Sequence, residues 1–249
     1  DSAGVSAETA VDGSIRTAGS VSVTGTRAYG VHAASTVGGD VRTTGSVAVL
    51  GEGAVGVAVD ENVGGKLVLG NAVTATGYRY TTRPSDTSKL DADDLLQGGP
   101  AVRIQGSVQG GVLVDAPPPN NDADKDDEDG DGVADSAETT GVVTSYGQAA
   151  AMQIGGADAI RLGAVGTGAD AYGLVIKGTV QGGGIYDGVS GLGVEIGGRG
   201  GAVDVQGGVK VDGQVSATAR EAGAVALHLK AGASAPSLAN SGIIQTVVA

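Results

Sequence analysis

The sequence IRTAGSVSVTGTRAYGV at residues 15–31 returns as VRTTGSVAVLGEGAVGV at residues 41–57. The two copies are 26 positions apart and share ten identical residues, including a Val-x-Val pair at Val21/Val23 and Val47/Val49. The lead-in repeats as well, as VDGSI at 11–15, VGGDV at 37–41 and VGGKL at 63–67. A fixed period in the twenties indicates structural units that stack in a row.

Each unit has the internal pattern of β-structure. Val21 and Val23 alternate with Ser20, Ser22 and Thr24, which is the two-residue period of a strand with one buried face. Glycines close each run at a point where the chain must turn. One unit therefore holds about three short strands and coils once, and successive coils stack at about 4.8 Å. This pattern predicts an all-β parallel β-helix, or β-solenoid.

Looser copies of the phrase extend the prediction along the chain. With Val31 and Val57 as anchors, a small-apolar-polar-apolar pattern recurs at residues 101–104, 151–154, 173–176, 193–196 and 224–227. We therefore predict about seven coils, called rungs below. Two gaps between anchors are too long for one rung, and each must hold an insertion.

This pattern divides the chain into five segments. The predicted boundaries are regular rungs at 1–77, an insertion loop at 78–99, a rung at 100–114, an acidic Pro-rich insertion at 115–147, and further rungs at 148–249. The final residues start another rung, so we expect the polypeptide to continue. The start at Asp1 without Met is what removal of a leader would leave.

The composition fits a narrow interior. The 249 residues include 47 Gly and 6 Tyr but no Phe, Trp or Cys, so Val, Ile, Leu and Ala must fill the core. Without disulfides, a continuous backbone ladder has to stabilise the fold. The net charge of −13 disfavours nucleic acid and anionic lipid as partners, since phosphate binding needs clustered Lys and Arg. No apolar run is long enough for a membrane span.

The first insertion breaks the repeat at Tyr78, Tyr80 and Pro84. Residues 89–96 have the pattern of one or two helical turns. Long loops on a solenoid often carry function. Residues 78–99 therefore have two interpretations. They form either a flap that covers an edge of the solenoid or a site that contacts a partner.

The second insertion has the spacing of a calcium loop. Ten acids and one Lys between Asp115 and Glu138 give −9 of the total charge of −13. The run Asp-x-Asp-x-Asp-Gly-x-x-Asp-x-x-Glu matches the twelve-position loop whose oxygens bind Ca²⁺, with the glycine at the sixth position allowing a sharp turn. The predicted ligands are Asp127, Asp129, Asp131, the Val133 carbonyl, Asp135 and a bidentate Glu138, with Asp122, Asp124 and Asp126 available for a second ion. The alternative is a solvated, disordered acidic segment.

The sequence contains no recognisable set of catalytic residues. His32 and His228 are the only histidines and are predicted to lie in distant rungs as outward strand residues, so a shared metal or a triad is disfavoured. We therefore predict that the chain is not an enzyme. The enzymatic alternative is a polysaccharide lyase or hydrolase, which would need clustered carboxylates, cations and aromatic platforms for sugars.

Two resemblances add expectations. The phrase DGDGVAD at 129–135 resembles the thrombospondin type 3 calcium repeats of secreted proteins. The repeat style, NSGII at 240–244 and the Gly/Ala/Val/Thr bias resemble the passenger region of Gram-negative autotransporters, which implies a right-handed β-helix displayed outside the outer membrane. The acidic, cysteine-free, calcium-binding character is also similar to surface-layer proteins.

These resemblances imply two functions. One is a displayed passenger in adhesion, with host or cell-surface glycans or proteins as partners. The other is a subunit of a surface layer or filament, with copies of itself as partners through the solenoid ends or the acidic loop.

Overall fold

The chain forms a parallel β-helix, as predicted from the repeat. The structure is a computed structural model that describes residues 2–78, 80–119, 121, 125–128 and 133–249. In these residues the strands pair in parallel and in register into four sheets, three of seven strands and one of three. Within the same ranges, no helix is long and apolar enough to cross a membrane.

The strands fall into seven rungs. The three regular rungs hold β1 (Ala3–Ala7), β2 (Ile15–Thr17) and β3 (Val21–Thr24); β4 (Tyr29–Ala33), β5 (Val41–Thr43) and β6 (Val47–Leu50); and β7 (Val55–Val59), β8 (Leu67–Leu69) and β9 (Ala72–Thr76). Rungs 4 and 5 hold β10 (Val102–Ile104), β11 (Val112–Val114) and β12 (Val142–Tyr146), then β13 (Met152–Ile154), β14 (Ile160–Leu162), β15 (Leu174–Ile176) and β16 (Thr179–Asp187). Rungs 6 and 7 hold β17 (Gly191–Ile196), β18 (Val203–Val205), β19 (Val209–Val211) and β20 (Gln214–Arg220), then β21 (Ala224–Leu229), β22 (Ala233–Ser234), β23 (Leu238–Asn240) and β24 (Ile243–Val248).

Each rung gives one strand to every long side of the column. The first sheet is β1-β4-β7-β10-β13-β17-β21, the second is β2-β5-β8-β11-β15-β19-β23, and the third runs from β3 to β24 in the same way. The fourth side is narrow. In rungs 1–4 it consists of single-residue bridges through Val11, Val37, Val63 and Val108, and it widens into β14, β18 and β22 in rungs 5–7.

The 26-residue repeat is the rung itself. Val21 pairs with Val47, and Val47 pairs with Val73. The same shift aligns Arg16 with Arg42 on the second sheet. Because the inner rungs bury equivalent positions, the aliphatic side chains form one continuous core, whose largest fully buried members include Leu67, Leu69, Ile104, Met152, Ile154, Leu162, Leu174, Ile176 and Ile196.

One predicted anchor lies on another side of the column. Residues 173–176 were assigned to the same side as Val31 and Val57, but β15 belongs to the second sheet and pairs with β11. Every side of the column buries aliphatic side chains, so a short apolar run identifies a strand without identifying its sheet. The predicted total of seven rungs is nevertheless right, because two errors cancel. Residues 173–176 were counted as an extra rung, and rung 1, whose β1 pairs with β4, was not counted.

The insertions leave the column at its corners. Residues 77–101 separate β9 from β10, and residues 115–141 separate β11 from β12. β12 lies inside the range 115–147 that was predicted to be the acidic insertion. The prediction missed this strand because its sequence VVTSY does not alternate clearly between apolar and polar residues. A third insertion, residues 163–173, was not predicted. It contains an antiparallel bridge between Val165 and Tyr172.

The described irregular segments contain three short 3₁₀ helices, Thr87–Lys89, Asp135–Ala137 and Gly168–Asp170. The one or two helical turns expected over residues 89–96 are present as a turn at residues 92–95, which follows the 3₁₀ helix that ends at Lys89. The Asp86 side chain caps that 3₁₀ helix by accepting a hydrogen bond from the Ser88 amide. The insertion loop at 78–99, called the flap below, is held on the column by Arg83, whose Nε and Nη2 donate to Asp187 at 2.9 and 2.7 Å.

Candidate functional site: the acidic insertion and its surroundings

The ends of the acidic insertion are joined. The Gly141 amide donates to the Asp115 carbonyl at 2.8 Å, so the chain leaves and re-enters the column at one point. The Asp115 side chain is buried at this neck and accepts a hydrogen bond from Lys177 Nζ at 3.1 Å. The insertion is therefore a closed loop on a rigid support.

Inside the insertion, the chain folds back on itself. The Asp135 amide donates to the Asp126 carbonyl at 2.7 Å, and the Glu128 amide donates to Asp135 Oδ1 at 3.1 Å. These contacts bring the segment around Asp127, the first position of the twelve-residue pattern, next to the ninth position. The 3₁₀ helix Asp135–Ala137 follows, and Glu138, the twelfth position, caps it.

The predicted calcium ligands are only partly described. Asp122, Asp124, Asp129 and Asp131 lie outside the described residues, whereas Asp126, Asp127, Val133, Asp135 and Glu138 lie within them. In the described part alone, no group of three or more acidic or histidine side chains is arranged to hold a metal ion.

One described carboxylate oxygen fits a cation. Asp135 Oδ2 is buried and has no hydrogen-bond partner among the described residues. A buried carboxylate oxygen in that state is costly unless a positive charge or a donor reaches it. A set of oxygen donors is also what Ca²⁺ prefers. The described residues of the loop are thus chemically suited to calcium.

The insertion rests on the outer face of the second sheet. Thr139 Oγ1 donates to the Gly70 carbonyl at 2.6 Å. Val133 lines a cavity with Arg16 and Arg42, and Glu138 lines a smaller cavity with Arg42. Arg16 and Arg42 occupy equivalent positions of the repeated stretches at 15–31 and 41–57, and this alignment could have indicated a basic strip facing outwards.

A second polar cluster lies on the outer face of the first sheet, and the sequence reasoning missed it. Asp60 accepts from Arg103 Nη2 at 2.8 Å and lies 2.8 Å from His32 Nε2. The His32 ring stacks on Tyr29 at 4.0 Å, and Arg103 lies over the same tyrosine. His32 therefore faces outwards, as expected, but it belongs to a network.

The charges of this cluster indicate that it stabilises the contacts between neighbouring rungs. Burial lowers the pKa of Arg103, but the hydrogen bond that Arg103 donates to the Tyr29 hydroxyl and the charge of Asp60 outweigh this effect and raise the pKa above its ordinary value. One carboxylate serves both His32 and Arg103. The arrangement ties rungs 2 to 4 together on the outside of the column.

Comparison of the chain with protein-family models, with curated protein sequences and with solved structures found no match.

Proposed function

We propose that the chain is a non-enzymatic, extracellular or cell-surface β-solenoid that acts as a rigid structural or adhesive rod and binds calcium in its acidic insertion. The proposal depends on one observation. The chain combines a column of seven in-register rungs with an acidic loop whose two ends are joined on the outside of that column. A column of this kind is stiff because each rung is bonded to its neighbours along its whole length.

In the calcium site, Asp127, Asp129, Asp131 and Asp135, the Val133 carbonyl and Glu138 would hold the ion. Asp122, Asp124 and Asp126 would serve a second ion. When bound, calcium supplies positive charge that offsets the mutual repulsion of these carboxylates. The described contacts between Asp135 and the 126–128 segment supply the fold-back that such a loop needs.

Isothermal titration with calcium tests this proposal. We expect binding by the wild type and its loss in Asp129→Ala/Asp131→Ala, with the far-UV circular dichroism of the column unchanged. A matched control, Asp158→Ala, removes an acid from the column, outside the insertion. Equal calcium binding by the wild type and the double variant would contradict the proposal.

Self-assembly is the second candidate, and the position of the acidic insertion favours it. The insertion leaves and re-enters the column at the neck formed by Asp115 and Gly141, so it lies on the outside of the rungs. Carboxylates at such a position can share a calcium ion with a second copy of the chain.

Sedimentation velocity across a calcium titration, with reversal by EGTA, separates the two candidates. Growth from monomer to large species with calcium, absent in Asp129→Ala/Asp131→Ala, would favour a calcium-bridged subunit of a surface layer or filament. An elongated monomer at every calcium concentration would favour the displayed adhesive rod.

A further inference from the structure

Two arginines that lie one rung apart differ in burial. Arg16 and Arg42 occupy equivalent positions on the outer face of the second sheet and pair in register. Arg16 is exposed, whereas Arg42 is only 6% exposed. The acidic insertion accounts for the difference, because its residues Glu138 and Thr139 line a small cavity together with Arg42. The insertion therefore covers Arg42 and leaves Arg16 open to solvent.

A buried arginine needs negative charge nearby. Its guanidinium stays protonated, and a buried charge is costly unless a group of opposite charge compensates it. The in-register neighbours of Arg42 cannot do this, since Arg16 is cationic and Val68 is aliphatic. The insertion can, because the segment from Asp115 to Glu138 carries ten acids and one lysine. The compensating charge for Arg42 therefore comes from the insertion.

Two carboxylates among the described residues line the small cavity with Arg42, and they differ in their other partners. They are Asp115 and Glu138. Lys177 Nζ donates to Asp115 at 3.1 Å, so Asp115 already serves another cation. Glu138, at the C-terminal end of the acidic run, is thus the described carboxylate whose charge is best placed to compensate Arg42.

Glu138 is also the twelfth position of the calcium pattern, where it would give both of its oxygens to the ion. A carboxylate that accepts charge-assisted hydrogen bonds from a guanidinium cannot give both oxygens fully to a metal. In addition, the charge of Arg42 repels a cation bound beside it, and burial strengthens this repulsion because solvent screens it less. Arg42 and calcium therefore oppose each other at the insertion.

We propose that Arg42 is a built-in competitor of calcium. It holds the acidic insertion on the second sheet when the ion is absent, and calcium must displace it from the carboxylates of the insertion, Glu138 in particular. This inference rests on the proposed calcium site and adds a regulation of that site. Calcium binding orders the loop and at the same time weakens its attachment to Arg42, so the column and the loop together set the affinity for calcium.

Isothermal titration with calcium tests the competition. We expect Arg42→Gln to bind calcium about tenfold more tightly than the wild type, because the ion no longer has to displace a charge-assisted hydrogen bond. The matched control Arg16→Gln removes the same charge at the exposed neighbour, where solvent screens it, and should change Kd by less than about twofold. Equal, measurable Kd values for the wild type and Arg42→Gln would overturn this inference and leave the calcium site standing. Absence of calcium binding in both proteins would instead overturn the two together.

Trypsin cleavage at Lys125 in EGTA tests the attachment of the insertion without any metal. Arg42→Gln should speed cleavage about tenfold because the insertion loses its attachment, and Arg16→Gln should leave the rate unchanged. Glu138→Gln removes the opposite charge without altering the column and should speed cleavage too, so the test does not depend on the folding of Arg42→Gln, which circular dichroism checks. Wild-type cleavage rates in both Arg42→Gln and Glu138→Gln would overturn the inference.

Discussion

Rungs 1 to 3 and the acidic insertion order their chains in opposite ways. In the rungs, each strand finds its partner one repeat away, as when the Val21 amide donates to the Ser46 carbonyl at 2.8 Å. In the insertion, the described hydrogen bonds are mostly internal, as between Asp135 and the 126–128 segment. The rungs are therefore supported by their neighbours, whereas the described part of the insertion is held by internal contacts, by its neck and by a few contacts with the second sheet.

The two regions also differ in burial. Leu67, Leu69 and Val73 of rung 3 are fully buried, whereas none of the described residues between 116 and 140 is buried. Hydrophobic burial supplies most of the stabilisation of a folded chain, at about 25 cal/mol per Å². The insertion has little of it and a charge that opposes compaction. The column should therefore respond to packing mutations and the insertion to ions.

The largest expected effect is on the column. Ile154 is 0% exposed, and Ile154→Ala should lower the free energy of unfolding by about 2–5 kcal/mol, the cost of lost burial plus a cavity. Chemical denaturation measures it. The control Ile243→Ala changes the same residue type at a site that is 52% exposed and should cost less than about 0.5 kcal/mol. Similar costs at both sites would contradict a core-stabilised column.

The next effect is on the insertion. Lys125 is its only lysine, so trypsin cleavage there reports on the loop. At a calcium concentration of 100 times Kd, binding should stabilise the ordered loop by about 2.7 kcal/mol and slow cleavage about a hundredfold. Asp135→Asn should remove most of this protection. Cleavage at Lys89 in the flap serves as the internal control and should not respond to calcium.

The calcium proposal has a clear failing result in that experiment. Equal cleavage rates at Lys125 in calcium and in EGTA would mean that the acidic segment gains no order from the ion. It would then be a solvated acidic loop, the alternative interpretation of the sequence.

The fold could be predicted from the sequence because the rungs repeat locally. Val21 and Val47 occupy equivalent positions, and one repeat length translates directly into one rung. The same regularity limited the prediction. The segment 173–176 is a short apolar run that would suit any side of the column, and only the pairing of β15 with β11 shows which sheet it joins.

The sites were less predictable, because they depend on contacts between rungs of unequal length. The calcium loop was predicted from local spacing alone, and it remains a prediction for all of its ligands. By contrast, the polar cluster consists of residues that are far apart in the sequence, His32, Asp60 and Arg103. Asp60 and Arg103 meet because β7 and β10 pair directly although the first insertion separates them in the chain. The cavity of about 330 Å³ over the second sheet likewise depends on Val165 and Asp170 of the third insertion, which no sequence pattern indicated.

The smallest expected effect is on the flap, which is intermediate between the two regions. Arg83→Gln removes the hydrogen bonds to Asp187 that hold residues 80–96 on the column. We expect faster hydrogen exchange in the flap amides, measured by mass spectrometry, with the midpoint of global unfolding unchanged. Exposed ion pairs contribute little, so the increase should be modest. The control Lys89→Gln alters the exposed pair with Asp86 and should leave exchange unchanged.

The effect of Arg83→Gln should depend on pH with a defined sign. The hydrogen bond from Arg83 lowers the pKa of Asp187 below its ordinary value, with a further contribution from the charge of Arg220. A carboxylate with a lowered pKa in the folded state stabilises that state above its ordinary pKa of about 3.9 and loses the effect as pH falls through the lowered value. The variant and the wild type should therefore differ in flap exchange near neutral pH and converge in acid. A difference that persisted well below that range would show that Arg83 holds the flap by packing and not through the Asp187 carboxylate.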